Sequence, residues 1–247
     1  MFEHSLWQWL AGGLSALLIG LSKTGVPGLG ILVAPLMAGV FPAKASTGIV
    51  LPMLIMADVF AVSYYHRHAR WKHLLRIMPF SATGIVMGYL LMGRMDDRQV
   101  AVVIGVIILV LLAFTVLKEL GVIRDEGIPH HLAFTVFMGL AAGITTMLAN
   151  AAGPIMVIYL LAIGLPKEEF IGTGSWYFLI LNCFKVPFSW HLGLITAPTL
   201  AYNALYLPLI AGGAFLGIYL LKRMPQKVFK VVSLSLSFVA ALKLFWG

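Results

Sequence analysis

The chain has 247 residues, 61% of them hydrophobic and 11% charged, against a globular norm of about 45–50% and about 25%. This excludes a soluble fold and leaves room for about ten membrane segments of roughly 20 residues, with short loops and no soluble domain. The net charge of +8 points to a membrane surface, and Cys183, alone of its kind, excludes an internal disulfide and a cysteine-based metal site.

Apolar segments are predicted at about 6–22, 26–40, 46–65, 74–93 and 99–117, then at about 131–148, 154–164, 170–190, 199–221 and 228–245. The opening MFEHSLWQWL lacks a basic leader and runs straight into the first segment, so no cleavable signal peptide is expected. The first segment ends in a polar break, Ser22-Lys23-Thr24-Gly25, followed by Val26, Pro27 and Gly28. The second segment is then only about 22 Å long at 1.5 Å per residue, short of the roughly 30 Å hydrocarbon core. The third holds Asp58 within IMADVFAV. An acid at membrane depth is a candidate for proton coupling, or else a structural partner of a basic residue.

The same order recurs half a chain later. Pro27 matches Pro154, Thr47-Gly48 matches Thr173-Gly174, Gly84 and Gly88 match Gly213 and Gly217, and Arg94-Met95 matches Arg223-Met224. A second break, Asn150-Ala151-Ala152-Gly153, precedes Pro154 and a segment of about 16 Å. Residues 1–118 and 131–247 therefore read as two copies of five segments in a single transport domain, 1–247. An odd number of segments inverts the second copy. The expected fold is an all-α polytopic membrane protein of two inverted-topology repeats. The first two segments of each repeat form re-entrant hairpins or broken helices meeting at the midplane.

Eleven basic residues fall in loops on one side (Arg67, Arg70, Lys72, Arg76, Lys118, Arg124, Lys167, Lys222, Arg223, Lys227, Lys230) and four on the other (Lys44, Arg94, Arg98, Lys243). The positive-inside rule makes the richer side cytoplasmic and puts both termini outside. Basic clusters such as HRHARWKH contact anionic lipid, and nucleic acid is not expected as a partner.

Prolines at the first turn of the short segments suit helix N-termini, which present free N–H groups and about half a positive charge. Two such ends at the midplane form an anion site. Ser22, Thr24 and Asn150 add donors, and Lys23 adds a charge for which an anionic substrate would be the counter-ion. Lys185 lies in the eighth segment, three residues after Asn182 and on its helical face, where it joins the site or snorkels towards Trp190. Asp58 and Lys185 are neighbours in the repeat alignment, but inversion separates them across the midplane, which leaves a direct bridge open. Gly84–Gly88 and Gly213–Gly217 read as packing faces. The histidines lack the spacing of a metal site, and no nucleotide or catalytic motif occurs. No metal, cofactor or enzymatic activity is therefore expected.

The stretch GLSKTGVPGLGILVAPLMAGVFPAKASTGIVLPMLIMADVFAV closely resembles the TauE/SafE family of membrane transporters, and the resemblance extends along the chain. It implies transport of sulfite or organosulfonates such as sulfoacetate across the bacterial inner membrane. The matching positions are Ser22, Lys23, Thr24, Gly25, Pro27 and Gly28, with Asn150, Gly153 and Pro154 in the second block. That block departs from the family in having Ala151-Ala152-Gly153 where many members carry more glycine. A small sulfur-containing anion and membrane lipids are thus the expected partners, with a homo-oligomer left open. A secondary-active carrier is the leading expectation, and an anion channel of the same architecture or a carrier of another organic anion is the alternative.

Overall fold

The computed structural model describes residues 5–27, 29–94, 96, 98, 99, 131–229, 231, 232 and 235. Gly28, the fifth predicted segment from residue 100 onward and most of the tenth lie outside the described residues, as do Met95, Lys118, Arg124, Lys230 and Lys243.

Every regular element among the described residues is helical. The elements are α1 (Leu6–Thr24), α2 (Val33–Ala38) after a 3-10 turn (Leu29–Leu32), α3 (Ala43–Tyr65), α4 (Trp71–Met92), α5 (Leu132–Ala149), α6 (Gly153–Ile163), α7 (Lys167–His191), α8 (Ala197–Leu205) and α9 (Leu207–Arg223). Among the described residues three stretches are long and apolar enough to cross a membrane: Lys44–His68, Trp71–Met92 and Leu132–Ala149. The α8–α9 pair, bent by 51°, has the length and composition for a fourth if it is taken as one span. The ninth predicted segment, 199–221, is thus divided between two helices. The break falls where the ring of Pro208 would clash with the carbonyl four residues back, that of Ala204. Large apolar side chains cover the outside, among them Trp7 at 72% exposure and Phe215 at 67%, as a lipid-facing surface requires.

Three helix pairs organise the packing: α1 with α9, α4 with α5, and α3 with α7. Under the expected repeat, exchanging the two copies would swap the first two pairs and map the third onto itself. Glycine makes the first two close. A methyl on Gly213 would overlap the Leu17 carbonyl oxygen, and one on Gly217 would overlap the Thr24 hydroxyl. On the other side, a methyl on Gly84 would overlap the Leu140 carbonyl oxygen, and one on Gly143 that of Ser81. Small residues let helix backbones touch where no hydrophobic effect separates protein from lipid. The predicted glycine faces are therefore real contact faces. The α3–α7 pair differs: it runs through the centre and carries Asp58, Asn182 and Lys185, all fully buried.

Candidate functional site

The first break lies at the C-terminal end of α1. Lys23 sits in the last helical turn, where a cation meets the negative end of the helix dipole. Its ammonium lies 2.8 Å from Asp58 Oδ1 and 3.9 Å from the centre of the Phe178 ring. Asp58 Oδ2 accepts a hydrogen bond of 2.7 Å from the Asn182 side-chain amide. The counter-ion of Lys23 is therefore a resident carboxylate, where the sequence suggested an incoming anion. Burial supplies the physical reason: a charge at this depth without a partner would cost several kcal/mol.

The second break is built on Asn150, which caps α5 in the left-handed conformation with φ 54°. Asparagine tolerates that conformation better than most residues, and glycine, the usual choice, has no side chain to contribute. Here the side chain is used at both ends. Its Nδ2 donates to the Thr47 carbonyl of α3 at 3.0 Å, and its Oδ1 accepts from Lys185 Nζ at 2.6 Å. Lys185 Nζ also donates to the carbonyl and the hydroxyl oxygen of Thr146, each at 3.0 Å. The lysine is 1% exposed and does not snorkel. Among the described residues no carboxylate lies within salt-bridge distance of it, and the bridge to Asp58 does not form.

Between the two breaks lies a cavity of about 90 Å³. About 10–15 Å³ on this measure holds one water, so the space suits several waters or one small oxyanion. Ser22, Lys23 and Pro27 line it from the first break, and Asn150, Ala151, Gly153 and Pro154 from the second. Leu54 of α3 and Asn182, Phe178 and Ser175 of α7 wall it. Gly153 has open space where a side chain would stand. It opens α6, whose first-turn N–H groups have no helical acceptor.

Other predicted site residues lie elsewhere. Thr24 donates its hydroxyl hydrogen bonds to the carbonyls of Gly20 and Ala214, at 3.0 and 2.7 Å, and serves the α1–α9 contact. Gly25 packs on Gly217, while Val26 and Ala152 are buried without lining the cavity. Asp58 and Lys185 stand behind the wall and act through Lys23, Asn182, Asn150 and Thr146. The first break also lacks a proper helix start. Pro27 leads into a 3-10 turn, and its Gly30 N–H donates to Ser22 Oγ at 3.0 Å. Only the second break therefore offers a true α-helical N-terminus. Sequence reasoning missed Thr146 and Phe178. A threonine and an aromatic inside apolar runs give no signal apart from their neighbours. Among the described residues no cluster of His, Cys, Asp or Glu could hold a metal ion.

A family model described as the sulfite exporter TauE/SafE matches residues 12–244. The chain belongs to this family. It is accordingly a multi-pass membrane protein of a sulfur-anion exporter family. No curated protein and no solved structure matches it significantly.

Proposed function

We propose that this TauE/SafE protein is a secondary-active transporter of a small sulfur-containing anion, sulfite or an organosulfonate such as sulfoacetate. The observation that carries the reading is the charge around the cavity. The fully buried Lys185 ammonium and the mostly buried Lys23 ammonium flank it, and among the described residues one carboxylate, Asp58, answers them. An oxyanion bound there would take hydrogen bonds from Ser22, Lys23 and the first turn of α6, with Asn150 held in place by Lys185. It would also supply the missing negative charge.

The whole chain forms one transport domain. The swapped α1–α9 and α4–α5 pairs support two inverted repeats, 1–118 and 131–247, with the cavity between their breaks near the membrane midplane. Rocking of one repeat against the other about the α3–α7 pair would open the cavity to each side in turn. The excess of basic residues in one set of loops supports both termini on the periplasmic side of a bacterial inner membrane, with those loops meeting anionic lipid on the cytoplasmic side.

The test is counterflow in proteoliposomes preloaded with unlabelled sulfoacetate. Saturable uptake of labelled sulfoacetate, stimulated by the internal anion and competed by sulfite, is expected. Anion conductance without counterflow would replace the carrier with a channel. Absence of flux for every sulfur anion, in folded protein, would overturn the reading.

A further inference from the structure

The side chains around the cavity carry an unbalanced charge. Among the described residues Lys23 and Lys185 contribute two positive charges and Asp58 one negative, leaving one positive charge at full ionisation. A monoanion in the cavity closes this sum to zero. A dianion overshoots to one negative charge, which is costly in a site walled by protein. One proton restores neutrality, and the geometry indicates where it goes. Asp58 is held by the Lys23 ammonium and the Asn182 amide, and both of those residues line the cavity. A substrate oxygen entering beside them competes with the carboxylate for the same two donors. Among the described residues, the titratable groups facing Asp58 are Lys23 from α1 and Lys185 and Cys183 from α7. Neither lysine can supply a proton without undoing the charge that attracts the anion.

On the reading of the cavity as an anion-carrier site, we infer that the protein moves one net negative charge per anion whatever the anion's own charge, a dianion travelling with one proton on Asp58. The proton enters from the aqueous phase on the loading side and leaves with the dianion on the other. Export of either kind of anion is then driven by an inside-negative potential to the same degree.

The experiment uses full-length protein in liposomes at equal pH on both sides, with potentials set by a potassium gradient and valinomycin. Two probes are compared: methanesulfonate, with one charge, and sulfoacetate, with two. A flux carrying one charge reverses at about 59 mV per tenfold anion gradient, and one carrying two at about 30 mV. Wild type is expected to reverse near 59 mV for both probes. In Asp58→Asn, sulfoacetate is expected to shift to about 30 mV while methanesulfonate stays near 59 mV. Sulfoacetate reversing near 30 mV in wild type would overturn the inference. So would reversal near 59 mV in Asp58→Asn, which would put the proton on the substrate's own carboxylate.

If Asp58→Asn does not fold, an internal pH dye in weakly buffered wild-type vesicles decides. One proton with each sulfoacetate and none with methanesulfonate is expected, and equal counts would overturn the inference. Flux of neither probe would instead bring down the sulfonate-carrier reading, and the charge rule with it.

Discussion

The two halves of the chain each bring an ammonium to the cavity, by different routes. In the first half the charge is part of the break itself: Lys23 ends α1 and is met by Asp58 across the α1–α3 contact. In the second half the break is uncharged, and Lys185 reaches it from α7 to hold Asn150 and Thr146. One ammonium has a carboxylate and the other has only neutral acceptors. Two near-matching glycine seams thus flank a cavity whose surroundings are not symmetric in charge. The difference assigns different work to the two lysines. Lys23 belongs to the stability of the core as much as to binding. On the proposed reading, the charge on Lys185 is answered when an anion binds.

The largest expected effect follows from the paired lysine. Lys23→Met leaves Asp58 buried without its cation and should cost about 3–5 kcal/mol, read as lost thermal stability in detergent. Adding Asp58→Leu should recover most of it, because removing both members of a buried pair is far milder than removing one. If Lys185→Met proves the more damaging single change, the asymmetry is drawn the wrong way round.

The glycine seams come next. Gly84→Val and Gly213→Val should each destabilise by about 1–3 kcal/mol through overpacking, and to similar degrees if the two seams are equivalent. Gly212→Ala meets nothing within 4 Å and should be neutral or slightly stabilising in a melting experiment.

Asn150 sharpens the second half of the comparison. Asn150→Ala loses the tolerated left-handed cap and both side-chain hydrogen bonds, for about 1–3 kcal/mol. Asn150→Gly keeps the cap and should cost less. Both should weaken anion binding, since Lys185 loses its closest acceptor.

The smallest effect is at the surface. Arg70 Nε donates to Glu169 Oε2 at 2.6 Å, and this hydrogen bonding holds the Glu169 carboxyl below its usual range. A carboxyl lowered on folding adds stability above the ordinary glutamate range and loses it as pH falls through the lowered value. Glu169→Gln should therefore lower stability slightly near neutral pH, with the difference vanishing as pH falls through the lowered value, which flattens the acid limb of the pH–stability curve. High salt should erase the difference, because the pair is exposed.

Much of this arrangement was legible in the chain. Hydrophobic runs locate helices because membrane burial of the backbone permits little else. The repeated Gly–x3–Gly spacing marks the seams, and the two polar breaks before Pro27 and Pro154 mark the cavity walls. What was not legible is who pairs with whom. Asp58 neighbours Lys185 in the expected repeat alignment, yet it meets Lys23, because pairing is set by how α1, α3 and α7 converge and not by sequence offset. Thr24 reads as a donor to substrate, and helix packing instead turns its hydroxyl onto Ala214. The bend at Tyr206 was also missed, although Pro208 signals it.

The most direct measurement of the central claim is thermal stabilisation of purified wild type and Lys185→Met by sulfite, sulfoacetate, sulfate and simple carboxylates. A ligand at 100 times its Kd stabilises the folded state by about 2.7 kcal/mol, well within reach of a melting experiment. The account expects a selective upward shift with a sulfur anion in wild type, absent in Lys185→Met that still melts cooperatively. An equal shift in both proteins, or no shift with any anion in folded wild type, would contradict a site built around an ammonium awaiting its anion.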